Sequence, residues 1–114
     1  MSLEKNTLTG NTTMLVLRML KEKDMYGYQI IDEILEKSES LFSLKTGTLY
    51  PLLHNLEKSG LVTSYEQDAD NQRVRRYYSI TDFGKAQLAI KQAEWELYSR
   101  AVKQVMAFTC TANA

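Results

Sequence analysis

At Gly60 the hydrophobic period of this chain changes from that of a helix to that of a strand, and this change restricts the fold more than any other feature. Upstream, Leu49, Leu52, Leu53 and Leu56 stand at i, i+3, i+4 and i+7, one apolar stripe on a helix from Thr46 to about Ser59. Thr46 is the expected N-cap, because its hydroxyl can accept from a free N–H of the first turn. Gly60 is the expected stop, since glycine adopts the left-handed conformation cheaply. Pro51 is awkward five residues past that cap: it lacks an N–H and should distort the start of the helix or push it later. Downstream, Leu61 to Glu66 reads as a strand with Val62, Thr63 and Tyr65. Gln67 to Gln72 is a polar loop of turn formers. Arg73 to Ile80 is a second strand, in which Val74, Arg76, Tyr78 and Ile80 alternate with Arg75, Tyr77 and Ser79.

Three further helices surround this unit. Met1 to Leu8 is polar and expected to fray. From about Thr9 to Lys23, Met14, Leu15, Val16, Leu17, Met19 and Leu20 make a helix apolar on most sides, hence largely buried. Asp24 is the expected cap of a second helix to about Ser38, with Ile30, Ile31, Ile34 and Leu35 inside and Asp32, Glu33, Glu36 and Glu39 outside. Gly27, between Tyr26 and Tyr28, lets another backbone come close. Thr81-Asp82 is a capped start for a fourth helix, running to roughly Phe108. The order is mostly α with a small β-hairpin: a winged helix-turn-helix with one long C-terminal helix after it. The expected divisions are a flexible N-terminus (1–8), a DNA-binding domain (9–80), a dimerisation helix (81–109) and a flexible tail (110–114).

A length of 114 residues fits one domain with a modest core, for which burial against a partner subunit would help. The 14 basic side chains balance 14 acidic ones, which argues weakly against a nucleic-acid binder, since such proteins usually carry a basic excess. The distribution is uneven, however: Arg73, Arg75 and Arg76 crowd the start of the second strand. The lone cysteine, Cys110, rules out an intramolecular disulfide and makes a reducing cytoplasm the expected home. The longest apolar run, Met14 to Leu17, is far too short to cross a membrane. Enzyme chemistry finds no support. His54 is the one histidine and has no cysteine or acidic residue at catalytic or metal spacing. Glu57 and Lys58 are adjacent on a helix and do not face each other. Neither a metal nor a cofactor is expected.

The polar face of the third helix carries Lys45, Thr48, Tyr50, His54 and Asn55, hydrogen-bonding side chains with little acidic charge that suit base edges and phosphates in a major groove. An isolated helix of this kind usually has only a solvated polar side, and a single basic cluster is usually a solvated strand. Their succession, candidate recognition helix and then basic hairpin, favours DNA. The candidate DNA-contacting set is Tyr26, Lys45, Thr46, Thr48, Tyr50, His54, Asn55, Arg73, Arg75 and Arg76.

Gly47-Thr48-Leu49-Tyr50-Pro51-Leu52-Leu53-His54-x-Leu56-Glu57-Lys58-x-Gly60-Leu61, followed by Arg75-Arg76-Tyr77-Tyr78-x-Ile80-Thr81-x-x-Gly84, resembles the PadR family of bacterial transcriptional regulators. Tyr26-Gly27-Tyr28-x-Ile30 matches as well. Pro51 is part of the family pattern. The wing departs from it, with Arg-Val-Arg-Arg in place of a more continuous basic run. The resemblance implies homodimeric DNA binding, often repression of genes for phenolic-acid detoxification or multidrug efflux. It also implies a single long dimerisation helix in the smaller members. In some multidrug-responsive members a tryptophan eleven residues after the glycine of the Ile-Thr-x-x-Gly motif lines a pore at the dimer interface. Trp95, the one tryptophan here, stands eleven residues after Gly84.

The last helix has two apolar sides. Leu88, Trp95, Tyr98, Val102 and Val105 fall on one, and Ala86, Ile90, Ala93, Leu97, Ala101 and Phe108 roughly opposite. Two faces imply two burials, one at home and one on a second copy. The expected dimer interface is Leu88, Trp95, Leu97, Tyr98, Ala101, Val102 and Val105, reading a palindromic operator. A small aromatic effector is expected to contact Trp95 and Tyr98, with Lys91 pairing an anionic group; the resemblance implies that the partner's first helix forms the walls, with Met14 and Leu17. Two alternatives stay open: Trp95 simply fills the dimer core, or the chain is a winged-helix interaction scaffold without specific DNA binding.

Overall fold

The computed structural model describes residues 5–69 and 73–109, with side chains from Asn11 onward. In chain order the elements are α1 (Lys5–Glu22), β1 (Met25–Tyr26), α2 (Gly27–Lys37), α3 (Thr46–Lys58), β2 (Val62–Asp68), β3 (Val74–Ile80) and α4 (Asp82–Met106). Helix α1 begins at Lys5 instead of near Thr9, and α4 ends two residues before Phe108. The expected tail with Cys110, residues 1–4 and the loop residues 70–72 lie outside the described residues.

The core is one cluster. Val16, Leu17, Met19 and Leu20 of α1 meet Ile30 and Ile34 of α2, Leu49, Leu53 and Leu56 of α3, Val62 of β2, Tyr78 of β3 and Leu88 of α4. Leu52, the fourth leucine of the stripe, is half-buried against this cluster.

Three local expectations are corrected. Thr46 is the first helical residue of α3, not its cap. Lys45 caps it with extended backbone and no side-chain bond, and its carbonyl accepts from Thr48 N and Leu49 N at 3.0 and 2.9 Å. Pro51 does not break the helix. A proline there deprives only the Gly47 carbonyl of its partner, and Gly47 is exposed, so water can serve it. Asp24 does not cap α2. The cap is Tyr26, in a two-residue strand paired antiparallel with β3, Met25 opposite Tyr78 and Tyr26 opposite Tyr77. The hairpin is thus part of a three-stranded sheet ordered β1-β3-β2. Tyr26 meets Tyr77 edge to face at 5.5 Å, Tyr77 stacks on Tyr65 at 5.7 Å, and the Tyr65 hydroxyl donates to the Asp24 carboxylate at 2.7 Å. That bond raises the Tyr65 phenol above its ordinary pKa.

Both helices of the helix-turn-helix end by the same chemistry. At the end of α3, Gly60 has φ 82°, Gly60 N donates to Glu57 O and Leu61 N to Leu56 O, a Schellman motif. At the end of α2 the pattern repeats, Glu39 N to Glu36 O and Ser40 N to Leu35 O, with Glu39 and Ser40 both at positive φ. Ser38 Oγ then accepts from Phe42 N at 2.9 Å. The connection to α3 is therefore an ordered turn that packs Phe42 and Leu44 on the core. Thr81 caps α4 as expected, its hydroxyl accepting from Gly84 N at 2.9 Å.

Candidate nucleic-acid interface and the groove behind it

With Leu49, Leu53 and Leu56 turned inward, α3 leaves Lys45, Thr46, Thr48, His54 and Asn55 exposed on its outer side. Tyr50 shares that side but is anchored. The end of its ring lies against Gly27, where a Cβ would collide with it. Burial raises its phenol above the ordinary pKa. The glycine between two tyrosines at the start of α2 thus receives a side chain of the third helix rather than a backbone.

Facing this, the wing brings its arginines to α2. Arg75 lies over the Tyr26 ring, its guanidinium carbon 4.3 Å from the centroid, a cation–π contact. Tyr26, Gly27, Tyr28, Tyr50 and Arg73 through Arg76 line one concavity of about 480 Å³. The structure therefore brings together five of the predicted DNA-contacting residues, Tyr26, Tyr50, Arg73, Arg75 and Arg76, and adds Tyr28, which sequence reasoning passed over. The signal for Tyr28 was its two-residue spacing from Tyr26, unreadable until Tyr26 is seen to end a strand and Tyr28 to lie in the first turn of a helix. Arg76 lines the concavity too, but as the strand neighbour of Arg75 it sends its side chain to the opposite face of β3, where Nη1 donates to Ser64 Oγ at 3.2 Å.

Lys45 and Thr48 take part in a second feature. A groove of about 490 Å³ runs between α1, the α2–α3 connection and α4. Asn11, Thr12 and Leu15 line it from α1, Leu41, Phe42 and Leu44 from the connection, Lys45 and Thr48 from the start of α3, and Trp95 and Tyr98 from α4. The Trp95 and Tyr98 rings are 6.0 Å apart and tilted by 35°. On the other side of Trp95 lies a concavity of about 320 Å³ lined by Met14, Leu15, Arg18, Leu88, Gln92 and Glu96. Trp95 is thus a ridge between two hollows.

Several expected effector and interface positions change role. Leu17 is fully buried in its own core and lines neither hollow. Leu88 is 2% exposed, covered within its own chain and so not free for a partner. Lys91 is outside both linings. Met14 does flank Trp95, but from the same chain's α1. The reason is that α4 docks its first turns, Gly84 and Leu88, on the home domain and carries Trp95 along α1 with them. Beyond that the apolar side chains of α4 are open: Leu97, Tyr98, Val105, Met106 and, just past its end, Phe108 are each at least 60% exposed. Ala101 and Val102 are exposed among them.

Among the described residues no group of His, Cys, Asp or Glu could hold a metal ion. No described helix is long and apolar enough to cross a membrane.

A helix-turn-helix whose third helix presents a polar face, followed by a basic wing, defines a winged-helix transcriptional regulator. The model of the transcriptional regulator PadR-like family matches residues 16–90, and the chain belongs to that family. It is 32% identical over 87 residues to the transcriptional regulator Rv3488 of Mycobacterium tuberculosis, covering 76% of this chain and 78% of that one. An uncharacterized protein of Lysinibacillus sphaericus is 38% identical over 88 residues, 77% of this chain and 81% of that one. Among solved structures, a transcriptional regulator from Clostridium thermocellum superposes with a TM-score of 0.80 at 32% identity, covering 90% of this chain and 97% of that one. A PadR family regulator from Eggerthella lenta gives 0.77 at 30% identity, covering 88% and 85%. PadR-like proteins are transcriptional regulators, not enzymes.

Proposed function

We propose that this chain is a homodimeric repressor that reads a palindromic operator through α3 and the wing, and that a planar aromatic ligand in the Trp95 groove releases it. The observation that carries this reading is the make-up of that groove. Trp95 and Tyr98, which suit a flat ring, share it with Lys45 and Thr48, which belong to the first turn of the candidate recognition helix. Its volume of about 490 Å³ is within the usual span of small-molecule sites. A ligand there would touch the DNA-reading helix directly. An anionic one would also neutralise Lys45, which cannot serve a ligand carboxylate and a DNA phosphate at once. Such a ligand shifts the protein only by as much as it prefers the released arrangement.

The open apolar side of α4 supports the dimer. A run of exposed apolar side chains along one helix suits an association surface, and a second copy would cover Leu97, Ala101, Val102 and Val105.

Fluorescence of the single tryptophan tests the proposal. Flat aromatic cations and hydroxycinnamate-like acids should quench it and weaken operator binding over the same concentration range. Quenching without a change in operator affinity would leave a pocket that is not a switch.

A further inference from the structure

The Ser64 hydroxyl donates to Glu57 Oε2 at 2.6 Å, and Arg76 Nη1 donates to Ser64 Oγ at 3.2 Å. The hydroxyl has one proton, given to the carboxylate, so its lone pair is what receives the guanidinium. The chain of bonds therefore has one direction, from β3 through β2 to the last turn of α3. In the hairpin register Ser64 stands opposite Tyr78 and Arg76 opposite Glu66, so the Arg76 bond crosses the ladder diagonally. Glu57 is half-buried, and buried Tyr78 lies beside it. Arg75, next in sequence, has no part in this chain of bonds and lies over Tyr26 on the other face.

We propose that Arg76 is a positioning residue that fixes the wing against the end of the recognition helix through Ser64 and Glu57, and is not itself a phosphate contact. The wing and α3 have to span a fixed separation on the duplex to engage it together, and this relay joins them outside the ladder and the core. The role in DNA recognition rests on the function proposed above, whereas the mechanical role does not.

The test uses the full chain with Ser64→Ala, Arg76→Ala, the double variant, Arg76→Lys and, for comparison, Arg75→Ala. Amide hydrogen exchange without DNA reads the wing itself. Ser64→Ala and Arg76→Ala should each speed exchange along β2 and β3 by about threefold to tenfold, the range of one net hydrogen bond, and the double variant should be no faster than either. Arg76→Lys, which keeps a donor, should restore much of the protection. On operator DNA the two alanine variants should lose affinity by similar factors with an unchanged salt slope, while Arg75→Ala flattens the slope by about one unit. The proposal is overturned if the two alanine variants add in the exchange measurement, if Ser64→Ala leaves wing exchange at the parental rate, or if Arg76→Ala flattens the salt slope as Arg75→Ala does. A parent that binds no DNA would refute the function proposed above, and the exchange data would still decide the role of Arg76.

Discussion

Thr81 shares its hydroxyl proton between the carbonyls of Gly60 and Leu61, at 2.7 and 3.0 Å, so the stop of the recognition helix and the cap of α4 are held by one side chain. Thr81 N also donates to Leu61 O at 3.0 Å, and Gly84 rests against that same carbonyl with no room for a Cβ. The end of α3 and the start of α4 are thereby tied at one point.

Gly84→Ala tests that junction. The added methyl meets the backbone of Leu61 and the side chain of Ile80, neither of which can yield freely. Chemical denaturation should show a loss of about 1–3 kcal/mol, the usual cost of overpacking. An unchanged midpoint would mean that the two helices are not in close register.

Gly27→Ala has the opposite profile. The nearest atoms to its methyl are those at the end of the Tyr50 ring, a side chain that is 40% exposed and can swing outward. Alanine is also the better helix former at the start of α2. Stability should change by less than about 1 kcal/mol, while operator affinity falls because Tyr50 is displaced. Undiminished operator binding would take Tyr50 out of the interface.

Arg73→Ala and Arg75→Ala should weaken specific and non-specific DNA binding alike. Each should flatten the dependence of log affinity on log salt by about one unit, since a lost phosphate contact releases one fewer counterion. A parental slope in the double variant would remove this side of the wing from the DNA.

Ala101→Glu and Val102→Asp place a carboxylate on the exposed apolar side of α4. On a monomer this costs little, since Ala101 is exposed and Val102 is 39% exposed. In a dimer it buries an unpaired charge, which is strongly unfavourable. Sedimentation at micromolar concentration should show a dimeric parent and monomeric variants; a monomeric parent contradicts the assembly.

The parts legible in the sequence were those set by local chemistry. The four-leucine stripe, the Gly60 stop and the Thr81 cap each depend on residues a few positions apart, and each is present as read. Strand β1 was not legible. Two residues carry no alternation, and their pairing with Tyr77 and Tyr78 comes from far along the chain. The wing arginines looked like one cluster because they are close in sequence, although the two-residue period already sends Arg75 and Arg76 to opposite faces. Leu17 and Leu88 were misplaced for a different reason: a helix apolar on several sides does not say which neighbour covers each side. The Trp95 groove draws on three segments distant in sequence, so only Trp95 itself could be singled out beforehand.

The most direct measurement is selection of DNA from a random pool by the purified chain at low salt, followed by sequencing and affinity measurement on the winner. A palindrome with half-sites about one helical turn or a multiple of it apart should emerge. Thr48→Ala or His54→Ala should then lose roughly 1–3 kcal/mol of discrimination at a base pair within each half-site. A pool that yields no sequence above background, or a winner that both variants bind with parental affinity and selectivity, would contradict the assignment of α3 as the helix that reads DNA.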